Sequence, residues 1–127
     1  MLNQTGIKKT TYGGPVQILF NVQNQMSVGI RVDDAYSVTR DGRKIVPAGT
    51  PLSGDLTART TAFVKAGDNP NPATGVLLHD VDVTEGDANG TLLIWGFVDL
   101  NKVDSATAAL ITATRKTELA GKVTFLK

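Results

Sequence analysis

The chain has no cysteine, a single histidine, a single tryptophan, and aromatic residues at only 6% of 127 positions. Without thiols there can be no disulfide framework, no thiolate nucleophile and no cysteine-based zinc site. His79 is the sole imidazole, so any Ser-His-Asp arrangement must run through it, and no Gly-x-Ser-x-Gly series is there to present a serine. Phosphate-cradling Gly-x-x-x-x-Gly-Lys and Gly-x-Gly-x-x-Gly series are missing as well. The 13 Lys and Arg nearly cancel the 12 Asp and Glu, leaving +1, too neutral for sequence-independent nucleic-acid binding. No apolar run approaches membrane-spanning length, and the opening MLNQTGIKKTTYGG lacks the apolar core of a signal peptide. These absences lead us to expect a protein made soluble in the cytoplasm. It should have no enzymatic activity, cofactor, metal or small-molecule substrate, and should bind neither nucleic acid nor membrane.

What is present is ordinary globular composition, 41% hydrophobic and 20% charged, at the length of one domain. Residues 1–14 are polar, carry Lys8 and Lys9 without an acid, and end at Gly13-Gly14-Pro15. They read as a flexible arm in which Thr10-Thr11-Tyr12 is strand-prone and suited to pairing with another chain's sheet edge. Residues 15–127 read as one β-rich domain. Strands are expected at Val16–Val22, Val28–Val32, Tyr36–Arg40, Lys44–Val46 and Thr60–Val64, with a hairpin across Asp41-Gly42. Prolines and glycines mark loops at Pro47–Asp55 and Ala66–Gly75.

From Val76 to Val83 the alternation predicts one strand, with Leu77, His79, Val81 and Val83 on one face and Asp80 and Asp82 on the other. A turn over Glu85–Gly90 leads to Leu92–Val98, apolar on both faces and expected at the centre of the core. Trp95 is assigned to core packing rather than to a carbohydrate platform with Phe97 and Phe125, and Gly96 marks a bulge or a close backbone approach. Asp104 is expected to cap a helix over Ser105–Lys116 whose apolar stripe is Ala106, Ala109, Leu110 and Ala113. Gly121 offers a stop before a terminal strand, Lys122–Leu126.

All acids from Asp68 to Asp99 lie in an interval without Lys or Arg, which reads as a solvated acidic face or, more sharply, as a patch that meets a basic partner. It is no calcium loop. Starting that motif at Asp80 puts Glu85 where glycine belongs and Thr91 where the closing Glu belongs.

The ordered series Gly75-Val-Leu, Asp80-Val-Asp82, Gly96-Phe-Val98, an Ala-rich helix at 106–113 and a final β segment resembles the C-terminal half of small head decoration proteins of tailed bacteriophages, the lambda-type decoration and head-fibre group. Pro47-Ala-Gly-Thr-Pro-Leu52 is similar to a loop of the same group. The resemblance implies a mainly β domain of short strands with one or two short C-terminal helices and an extended N-terminal arm. It also implies a structural virion protein that cements the expanded capsid from outside, as homotrimers on three-fold positions. The major capsid protein would be its partner, contacted through the arm residues Ile7, Lys8, Lys9, Thr10, Thr11 and Tyr12. The segregated charge and small-residue stripe assign the oligomer contact to Asp80, Asp82, Ala109 and Ala113. The competing reading is a virion-surface module that binds carbohydrate or another host ligand.

Overall fold

The computed structural model describes residues 18–19, 25–67 and 71–127. The arm with its Ile7–Tyr12 segment, most of the expected Val16–Val22 strand and residues 68–70 of the proline loop lie outside the described residues. The fold is mainly β with short C-terminal helices, as the sequence reading expects.

One long strand organises the molecule. β8 (Ala88–Asp99) receives β1 (Met26–Val32) along one edge, antiparallel, and β6 (Gly75–Leu77) along the other. β4 (Pro51–Ser53) and β5 (Val64–Lys65) extend the sheet beyond β6. Its far end pairs in parallel with β9 (Val123–Leu126), a pairing that requires a long crossover. That crossover holds a 3-10 turn at Leu100–Lys102, α1 (Ser105–Ala108) and α2 (Ala113–Glu118). A smaller sheet joins β2 (Val38–Arg40), β3 (Arg43–Val46) and β7 (Val81–Asp82). The β2–β3 hairpin turns at Asp41-Gly42 as expected, both with positive φ (51° and 78°), the backbone that a two-residue turn of this kind demands.

Leu92 and Leu93 are both completely buried because β8 is covered on both faces. On one side Leu92 and Leu77 meet Val46 and Val81 of the small sheet, with Ile30, Val32 and Phe63. On the other Leu93 and Val76 meet Val98, Val103, Leu119 and Val123 of the crossover and terminal strand. Gly75 is squeezed between β4 and β8; a Cβ there would stand 2.5 Å from the Leu93 carbonyl oxygen.

Several expectations are corrected. The Val76–Val83 strand is two strands in different sheets, β6 and β7, separated by a bend at Leu78–Asp80; Leu78 is buried there, which a strict alternation forbids. The loop over Pro47–Asp55 contains β4, whose Pro51 needs no N–H to join because it contributes its carbonyl, accepting from the Ala66 amide at 2.9 Å. Thr60–Val64 is mostly irregular, with only Val64 in a strand and Phe63 bridging Val32. The turn after β7 closes earlier than expected, since β8 already begins at Ala88.

Trp95 is 46% exposed rather than in the core. Ser27 pairs with Leu93 and Met26 with Trp95, so Ile94 is an extra residue in the ladder. A bulge of this kind reverses the alternation beyond it. Val98 therefore joins the cluster of Leu93, and Trp95 turns to the opposite face, past the end of the core that covers Leu92.

The single helix expected over Ser105–Lys116 is likewise two short ones. Asp104 makes no side-chain cap bond, whereas the Thr112 hydroxyl accepts from the Arg115 amide and starts α2. The buried positions are Val103, Thr107, Ile111, Arg115 and Leu119, every fourth residue, so the expected stripe is the wrong face: Ala106, Ala109 and Ala113 are exposed.

Candidate functional site

The largest apolar side chains left at the surface include Met26, 58% exposed, and Trp95. They are cross-strand partners at the β1–β8 bulge, so a rigid sheet presents them together. Phe97, half-buried, meets the Trp95 ring edge-on, 6.4 Å between centroids at 70°. This packing fixes the indole without covering it. Sequence reasoning had one signal for this surface, Gly96, which stands next to the bulge, but the change of face that the bulge causes was not legible.

Asp80 and Asp82 are exposed, and each is engaged within the chain. Arg40 donates to one Asp80 oxygen at 2.9 Å and the Ala48 amide donates to the other at 2.7 Å. Arg43 donates to Asp82 from its Nε, and the Thr84 hydroxyl and amide donate to the second Asp82 oxygen at 2.6 and 2.9 Å. The Arg43 bond, then the Thr84 bonds, pull the Asp82 carboxyl from its ordinary 3.8 down to about 2, and the same contact raises Arg43. Two arginines of the small hairpin thus pair with Asp80 and Asp82, two acids of the interval that is bare of basic residues in sequence. Ala109 lies exposed in the link between the helices and Ala113 is exposed at the start of α2.

The Nδ1 of His79 is shielded from solvent and has no hydrogen-bond partner among the described residues, so no carboxylate orients the imidazole as a triad requires. A carboxylate group that the sequence did not suggest brings Asp33, Asp34 and Asp87 within 4.8 Å of one another. Asp33 accepts from the Ala35 amide and Asp87 from the Asp34 amide, contacts that organise the turn after β1.

Buried polar chemistry concentrates at Arg115, whose side chain is only 4% exposed. It donates to the Gly67 carbonyl at 2.7 Å and pairs with Glu118 at 3.3 Å, while Glu118 accepts from the Ala73 amide. This arrangement ties α2 to the segment before β6.

Comparison with protein-family models gives no match, and comparison with curated proteins gives none either. No helix among the described residues is long and apolar enough to cross a membrane.

Proposed function

We propose that this chain is a structural virion protein that binds the outside of an expanded phage capsid and stabilises it, as homotrimers at three-fold positions with the major capsid protein as partner. The observation that carries the reading is the Met26–Trp95 surface. Large apolar side chains held in the open on a rigid sheet mark protein contacts, and Trp is enriched at their energetic centres. The direction of the reading, toward capsids, comes from the sequence resemblance. In the fold that series occupies β6, β7, the end of β8, the two helices and β9.

No chemistry is needed for the role. A protein that binds the expanded shell better than its precursor or its dissociated subunits stabilises that shell by mass action, and many equivalent sites multiply a modest energy per site. The arm residues Ile7–Tyr12 are proposed to lie along the capsid protein. Ala109 and Ala113, small and exposed, permit a close approach between copies. Asp80 and Asp82 would enter such a contact as ion pairs with Arg40 and Arg43 rather than as free acids.

A second reading, carbohydrate binding, is favoured by the same exposed indole, because a flat aromatic face accepts a sugar ring as well as a protein side chain. Trp95→Ala separates the two. On the capsid reading the variant folds normally and occupies purified heads less than the parent protein, and neither protein retains immobilised glycans. Glycan retention by the parent that vanishes in Trp95→Ala, with head occupancy unchanged, would transfer the site to the carbohydrate reading.

A further inference from the structure

A groove of about 720 Å³ lies between β1 and the loop 56–60, lined by Gly29, Arg31, Leu56, Arg59 and Asn89 among others; beyond it the outer edge of β1 is bridged at Val32 by Phe63. Its polar character follows from the strand register. The Leu78 amide donates to the Thr91 carbonyl, so Thr91 points at β6 and its β1 partner Gly29 points away from β8. By the two-residue period, Ser27, Gly29, Arg31 and Asp33 all turn their backbone groups outward. The Phe63 amide takes the Arg31 carbonyl at 2.7 Å, the Asp33 amide reaches the Phe63 carbonyl at 2.9 Å, and Arg59 donates to the Gly29 carbonyl at 2.9 Å. The outward amides of Gly29 and Arg31 meet no acceptor among the described residues. At Gly29 and Arg31 the outward acceptors are used while the outward donors stand open.

The side chains add donors of the same kind. Arg31 and Asn89 face each other across β1 and β8 on the surface opposite Ile30 and Val32. No carboxylate lines the groove among the described residues. Leu56, 39% exposed, gives one wall an apolar side chain, and Gly29 leaves the floor open, since a Cβ there would meet nothing within 4 Å. We infer that this groove binds an extended, acidic segment of a partner polypeptide as an added strand on β1. Carbonyls two residues apart on the segment accept from the Gly29 and Arg31 amides. An amide of the segment replaces Arg59 on the Gly29 carbonyl, and the released guanidinium, with that of Arg31, takes the segment's carboxylates. The two arginines of the groove favour an acidic segment over a basic one.

The test is amide-resolved NMR titration of the full chain with an N-acetylated, C-amidated peptide of alternating Val and Glu, against the same peptide with Lys for Glu. The expected result is saturable shifts at the Gly29 and Arg31 amides with the Glu peptide and none with the Lys peptide. Loss of one charge-assisted contact should weaken binding about tenfold, which Arg31→Gln reads without disturbing the Arg59 bond to β1. Gly29→Pro provides a second variant: it removes one outward N–H, leaves the ladder at Val28 and Ile30, and should also weaken binding. The inference is overturned if both peptides shift the same amides equally, if the Glu peptide shifts only the Met26–Trp95 region or nothing, or if folded Arg31→Gln and Gly29→Pro bind it as the parent does.

Discussion

Asp82 illustrates how much of a residue's behaviour depends on partners that are distant in sequence. Its carboxyl is held near 2, first by Arg43 and then by Thr84. A folded-state value below the ordinary 3.8 contributes stability that is fully present above about pH 4 and is lost as pH falls toward 2. Asp82→Asn should therefore flatten the acid side of the stability profile between about pH 4 and 2, measured as the thermal midpoint across that range. An unchanged acid slope would show that the contact carries no linkage. A second residue-scale prediction concerns Gly75, where added volume meets first the Leu93 carbonyl oxygen and then the fully buried Leu92 side chain. Gly75→Ala should destabilise by about 1–3 kcal/mol in chemical denaturation, the cost of overpacking a closed site. At this scale the sequence was a good guide where one residue type dictates one backbone, as at Asp41-Gly42. It misled where a side chain's surroundings come from elsewhere. Trp95 was assigned to the core because its neighbours are apolar, and Asp80 and Asp82 read as unpaired because Arg40 and Arg43 are some forty residues away.

Among the elements, β1, the β2–β3 hairpin, β8 and β9 were legible because turn residues and apolar runs agree along them. Two elements were misread for a common reason, that a local period was extended past the point where tertiary contacts interrupt it. The run Val76–Val83 satisfies a strand pattern throughout, yet the chain leaves one sheet for the other at Leu78–Asp80, and Asp80 fastens the bend to Ala48 and Arg40. In the crossover the buried series includes Thr107 and Arg115, polar residues that an apolar-stripe search passes over, so the alanines drew the prediction to the opposite face. Arg115 is the element-scale test. Arg115→Ala leaves the largely buried Glu118 carboxylate without this guanidinium and frees the Gly67 carbonyl, and breaking one side of a buried pair costs about 3–5 kcal/mol. The variant should unfold at markedly lower denaturant, with α2 and the 67–73 segment losing hydrogen-exchange protection first. Protection lost uniformly, or stability within about 0.5 kcal/mol of the parent, the range of an ordinary surface change, would remove Arg115 from the structural account.

For the whole molecule, two cores share β6 and β8, and the outer face at the β1–β8 bulge remains apolar and open. The proposed contact residues Met26 and Trp95 lie outside both core clusters. Deleting residues 1–14 should leave the thermal midpoint of the domain nearly unchanged while lowering its occupancy on heads; undiminished occupancy would leave the arm without an anchoring role. The mainly β class with short C-terminal helices was legible from strand and turn signals among the described residues. The candidate contact surface was not, because a bulge and a helix break, rather than composition, decide which side chains face outward. The central claim, that the protein recognises the expanded shell, is tested most directly by co-sedimentation of the purified parent protein with expanded and with unexpanded heads. The account predicts saturable binding to expanded heads, raised resistance of those heads to heat, and little binding to unexpanded ones. Equal binding to both forms, or none to either, would contradict it.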